Sequence, residues 1–134
     1  MARKLVISMG EPEPTDVVVA RSGDLYWTCK AAGVILKRSG GVTTLLRAGL
    51  DSPSGIAIDH RGEVLYFTEV PTPGVPGTMG GRNRIRALHL ATGELRSVHV
   101  GDPEPTDVAV ARNGNLYWTC TVAGVIVEAK RRGR

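Results

Sequence analysis

Apolar residues in this chain come in short runs separated by Gly-, Pro- and Asp-rich breaks, and no run carries the three-to-four spacing of an amphipathic helix. Leu5 to Met9 is the first such run, ending at Gly10. Asp16 to Ala20 is nearly continuous valine and reads as a strand buried on both faces. Arg21-Ser22-Gly23-Asp24 then has turn chemistry, with a glycine free to take positive φ, and Leu25 to Cys29 is built of β-favouring residues. Ala32-Gly33 breaks that run, Val34 to Leu36 follows, Ser39-Gly40-Gly41 turns, and Val42 to Leu46 completes a four-stranded antiparallel meander. The plan returns as Ile56 to Asp59, Val64 to Thr68, Ile85 to Leu90 and Leu95 to Val100, and again as Val108 to Ala111, Leu116 to Cys120 and Val125 to Val127. The fold class is therefore all-β.

The returns are repeats in sequence as well as in pattern. Pro12-Glu13-Pro14-Thr15-Asp16 through Leu25-Tyr26-Trp27-Thr28-Cys29 recurs as Pro103-Glu104-Pro105-Thr106-Asp107 through Leu116-Tyr117-Trp118-Thr119-Cys120, at a constant offset of 91. Ser52 to Glu69 is a looser middle copy with one extra residue after its turn. Units of roughly 40 to 50 residues point to solenoids or propellers. We read 1–134 as one domain with repeats at approximately 11–49, 50–101 and 102–128. The third repeat has no fourth strand of its own. Leu5 to Met9, followed by Gly10, resembles the fourth strand Arg96 to Val100, followed by Gly101. The middle repeat is interrupted by Val70 to Gly81, whose prolines and glycines cannot extend a sheet; a segment of this length is usually a functional or disordered loop.

Composition adds limits rather than chemistry. With 42% hydrophobic and 22% charged residues the chain is ordinary globular material. No apolar run approaches the ~18 residues of a membrane span, and the apolar part of Met1 to Ser8 is too short for a signal peptide, so a cytoplasmic chain without membrane partners is expected. The net charge of +4 sits at the ends, in Arg3, Lys4, Lys130, Arg131, Arg132 and Arg134. Removing those six from the 17 basic residues leaves 11 against 13 acidic, which argues against a nucleic-acid face. Cys29 and Cys120 occupy equivalent repeat positions, a unit or more apart, whereas a disulfide needs Cα atoms within about 7 Å. Both are expected reduced and part-buried.

Ser52 to Thr68, with Arg82-Asn83-Arg84-Ile85 after it, resembles the blade of six-bladed NHL-type β-propellers, and Tyr26-Trp27-Thr28 and Tyr117-Trp118-Thr119 match the YWTD signature. The resemblance implies three four-stranded blades. It also implies that the starts of the innermost strands, and the loops between second and third strands, share one face around a central channel. Cys29, Glu69 and Cys120 replace the last Asp of the signature, which in the family is similar to a blade-to-blade hydrogen-bonding group. Trp27 and Trp118 read as packing between blades rather than as ligand stackers.

That face would receive Glu13, Asp16, Glu69, Glu104 and Asp107, with Met79 on the long loop, and these are the candidate ligand-binding residues. A cation on carboxylate oxygens is one reading, since gluconolactonase-like propellers carry a metal there. The plainer one is that Asp16 and Asp107 bond neighbouring backbone amides while the glutamates are solvated. The three asparagines are too few and too scattered for the mixed ligand set of those enzymes, so no metal and no cofactor is assigned. Phe67-Thr68-Glu69 resembles an element of streptogramin-lyase propellers, which are said to use a His and a Glu near a metal. Here His60 falls in a hairpin turn, and His89 and His99 on outer strands. No catalytic triad, zinc cluster or phosphate loop is present in the sequence.

The reading is a non-enzymatic structural or binding module. The alternative is a fragment of a metal-dependent lactonase- or streptogramin-lyase-like propeller. Three blades cover about half a circle at about 60° per blade, leaving edges and apolar faces bare. The expected partner is a second copy, each chain lending Leu5 to Met9 to its partner's third blade in a closed six-bladed homodimer.

Overall fold

The computed structural model describes residues 5–7, 12–71, 83–101 and 104–131. Among them run eleven strands: β1 (Asp16–Val19), β2 (Leu25–Cys29), β3 (Val34–Ser39), β4 (Val42–Arg47), β5 (Pro53–Ile58), β6 (Val64–Glu69), β7 (Arg84–His89), β8 (Leu95–Val100), β9 (Asp107–Val110), β10 (Leu116–Cys120) and β11 (Val125–Ala129). They form two four-stranded sheets, β1-β2-β3-β4 and β5-β6-β7-β8, and a three-stranded sheet, β11-β10-β9, paired antiparallel throughout. The described residues contain no helix long and apolar enough to cross a membrane.

Equivalent turn sequences, Arg21-Ser22-Gly23-Asp24 and Arg112-Asn113-Gly114-Asn115, build the same turn. In the first blade Ala20 N donates to Asp24 O and Gly23 N to Ala20 O, both at 2.9 Å; Ala111, Asn115 and Gly114 repeat both bonds at 2.9 Å in the third. Gly23 and Gly114 stand at φ 94° and 93°, which a residue with a Cβ rarely adopts. The middle turn, one residue longer, keeps the two backbone bonds, Asp59 N to Val64 O and Gly62 N to Asp59 O at 3.0 Å, and adds a side chain: Asp59 Oδ1 accepts from Glu63 N at 2.8 Å and Val64 N at 3.0 Å. In both four-stranded sheets the register shifts at the same place in the third strand, between Ile35 and Leu36 and between Ile85 and Arg86. Such bulges strengthen the local twist where the outermost strand pairs on.

Because strand side chains alternate, each sheet offers one apolar face to the blade before it and another to the blade after it. Tyr26 and Ile35 of the first blade pack with Ile56, Leu65, Phe67 and Leu88 of the second. The second blade's other face, through Ala57 and Ile85, packs with Val108, Leu116, Trp118 and Cys120 of the third. His99 on β8 lies against Trp118, ring centroids 5.0 Å apart. Both cores thus lie between blades.

Three expectations change. β1 is not buried on both faces: its residues alternate, with Val17 57% and Val19 60% exposed, because among the described residues no further blade packs on the outer side of the first. The cysteines are fully buried rather than part-buried, and neither is in a disulfide. Burial pushes the Cys120 thiol above its ordinary pKa. Finally, Leu5 to Ile7 are exposed and lie in no strand of their own chain. Residues 8–9 of that run, 72–82 of the long loop with Met79, and 102–103 lie outside the described residues.

Candidate functional site: the channel mouth and the bare blade faces

The acidic residues expected at the channel mouth do different jobs. Asp16 heads β1; its Oδ1 accepts from Val17 N at 2.9 Å and its Oδ2 crosses to the second blade to accept from Ile56 N at 3.1 Å. Asp107 heads β9 and accepts from Val108 N at 2.9 Å. Both aspartates therefore bond backbone amides, the plainer of the two readings. Glu13 is exposed and Glu104 half-buried. Among the described residues no group of three or more His, Cys, Asp or Glu is arranged to hold a metal ion.

Glu69, at the end of β6, is fully buried. Its Oε1 lies 3.1 Å from Arg84 Nη2 and 3.3 Å from Arg86 Nη1, and its Oε2 accepts from Asp51 N at 2.8 Å. Arg84 also reaches Asp51 Oδ2 at 3.3 Å. A buried carboxylate is tolerated only when paired and hydrogen-bonded, and these partners supply both. The arginines escaped the sequence reading. The available signal was the alternation Arg84-Ile85-Arg86, which places both guanidiniums on one face of β7, with Arg84 directly across from Glu69 in register.

A second surface emerges from comparing repeats position by position. At the closed seam between blades one and two, Thr28 Oγ1 donates to Ser54 O at 2.6 Å, beside the Asp16 bond to Ile56 N. Tyr26, Thr28 and Ile35 are buried there. Ninety-one residues on, Tyr117 is half-buried, Thr119 exposed, and Ile126 74% exposed against 0% for Ile35. The converse holds at the other end of the arc: Val108 is 6% exposed against blade two, while its equivalent Val17 is 57% exposed. Among the described residues two faces are therefore left open. One, on blade three, is the equivalent of the face with which blade one meets blade two; the other, on blade one, is the equivalent of the face with which blade three meets blade two, and there Val17 and Val19 are exposed while Trp27 and Cys29 are buried.

No family model matches the chain. Among solved structures it is similar to a gluconolactonase from Xanthomonas campestris (TM-score 0.67, 22% identity, over 88% of this chain and 45% of that one). It is also similar to a streptogramin B lyase (0.65, 20%, over 94% and 43%). A third is an inactive variant of virginiamycin B lyase from Staphylococcus aureus solved with quinupristin (0.59, 20%, over 88% and 41%). At these identities the likeness establishes the fold, a β-propeller. The chain spans less than half the length of each of these structures.

Proposed function

We propose that the chain is a structural and binding module, three NHL/YWTD-type blades that form half of a six-bladed ring and close it by docking on a second copy. The observation that carries this is the matched pair of bare faces. Each repeats, at positions such as Val17/Val108 and Ile126/Ile35, a face buried elsewhere in the same chain, so its complement is a blade and not an arbitrary apolar partner. A two-fold pair would cover both faces of both copies together. Leu5, Val6 and Ile7, 84%, 73% and 46% exposed and outside any strand, are the material for a fourth strand on the edge of the partner's β11. Light scattering across a dilution series tests it: the mass rises toward twice 14.3 kDa with concentration, and deleting residues 1–10 weakens the rise. A folded monomer at every concentration refutes it.

A second reading, half of a lactonase- or lyase-like ring, is favoured by the named structural neighbours. Against it stands Glu69, the residue of the Phe67-Thr68-Glu69 element, whose carboxylate is committed to two arginines and a backbone amide. Any ligand of the mouth would meet Glu13, Glu104 and Asp107 before it met Glu69. Calcium, magnesium or zinc at millimolar level, added in a thermal-shift assay, separates the readings: stabilisation supports the enzyme half, and none supports the module.

A further inference from the structure

The repeat position that opens β1 and β9 alternates Asp16, Gly55, Asp107 along the arc, Gly55 being its equivalent within β5, and the two closed seams show why. At the seam between blades two and three, a Cβ on Gly55 would stand 2.8 Å from Asp107 Cα, 2.5 Å from its Oδ1 and 3.2 Å from Thr106 O. Backbone meets backbone there, and only glycine fits. At the seam between blades one and two the carboxylate is on the other side: Asp16 Oδ2 reaches Ile56 N at 3.1 Å. That amide is available because the residue before it, Gly55, has no side chain to cap it. Val17 N and Val108 N, by contrast, are each taken by their own aspartate at 2.9 Å. Each closed seam therefore pairs one aspartate with one glycine.

We infer that this position selects which blade can dock: an aspartate on one side of a seam requires a glycine on the other. The inference rests on the second-copy reading and deepens it. In a closed pair the new seam brings Asp107 against Asp16 of the partner subunit. Two Cβ atoms would occupy the space that Gly55 leaves free, and two carboxylates would compete for one amide, the one that follows the partner's Asp16. Like charges at such a distance repel, and the backbones must separate to admit the side chains. The second copy accordingly closes the ring loosely, and the bare faces fit a blade of the Gly55 kind better than a blade of their own kind.

Analytical ultracentrifugation of the full chain tests this. Asp107→Gly turns the closing seam into a Gly-Asp pair like that between blades two and three, and Asp16→Gly turns it into an Asp-Gly pair like that between blades one and two. Each is expected to lower the dissociation constant of the pair by at least about tenfold, while Asp107→Asn, which removes the charge and keeps the Cβ, gains less. Circular dichroism checks the fold, and a variant that fails to fold is replaced in the comparison by the other two. Wild-type chain that stays monomeric removes the second-copy reading, yet pairing by either glycine variant still supports the selection rule. Folded glycine variants that pair no more tightly than wild type overturn the rule, whatever the wild type does.

Discussion

Ile126→Ala separates a docking face from an ordinary exposed surface. In the isolated chain Ile126 is 74% exposed, so shortening it changes folding stability by no more than about 0.5 kcal/mol. Its equivalent Ile35, at 0% exposure, shows what the same position gains once a blade covers it. Burying an isoleucine side chain contributes about 1.5–3 kcal/mol. A two-fold pair has two identical seams, so the substitution is felt twice, about 3–6 kcal/mol, and raises the dissociation constant roughly 10²- to 10⁴-fold. Ile35→Ala is the internal control, expected to lower folding stability by about 2–5 kcal/mol through the cavity it opens. Sedimentation velocity over a dilution series reads pairing and urea titration reads folding. If Ile126→Ala leaves self-association unchanged, or lowers the urea midpoint as Ile35→Ala does, the repeat-equivalence argument is wrong.

The closed seam and the buried charges give further expectations. Thr28→Val strands the Ser54 carbonyl, which now accepts at 2.6 Å, and is expected to cost about 1–3 kcal/mol in a urea titration; Thr119→Val, at the bare equivalent, leaves the midpoint where it was. Glu69→Ala leaves two guanidiniums facing each other, and since those arginines keep 26% and 18% side-chain exposure the expected loss is about 2–4 kcal/mol; an unchanged midpoint would mean the network is not structural. Both thiols are expected to resist alkylation until urea is added, and a non-reducing gel to show no crosslink that survives denaturation. Because burial raises the Cys120 thiol above its unfolded value, the unfolded chain loses that proton first. Stability should therefore fall as the pH passes the ordinary thiol value, and Cys120→Ser should flatten that fall.

Much of the architecture was legible because β-propeller blades declare themselves locally. Val-rich β1, the Gly23 and Gly114 turns and the Leu-Tyr-Trp-Thr-Cys strands are each specified by residues close together in the chain. What periodicity could not tell is which faces find a neighbour. Val17 and Val108 are the same residue in the same setting, yet one is bare and one is covered, since burial depends on the blade beside it and not on the strand it belongs to. The Glu69 network was hidden for another reason. Its arginines lie beyond residues 72–82, and only the β6-β7 register brings them opposite the carboxylate. The role of Gly55 was invisible for a third reason: its alternation with Asp16 and Asp107 was there to read, but its meaning depends on how closely two backbones approach across a seam.

Small-angle X-ray scattering tests directly the proposal that two arcs of blades make one ring. At concentrations where the chain is paired, the account predicts the mass of two 14.3 kDa chains in one compact disc with no extended arm. A scattering curve that stays that of a single half-ring at every concentration, or one that fits an elongated end-to-end filament, would contradict it.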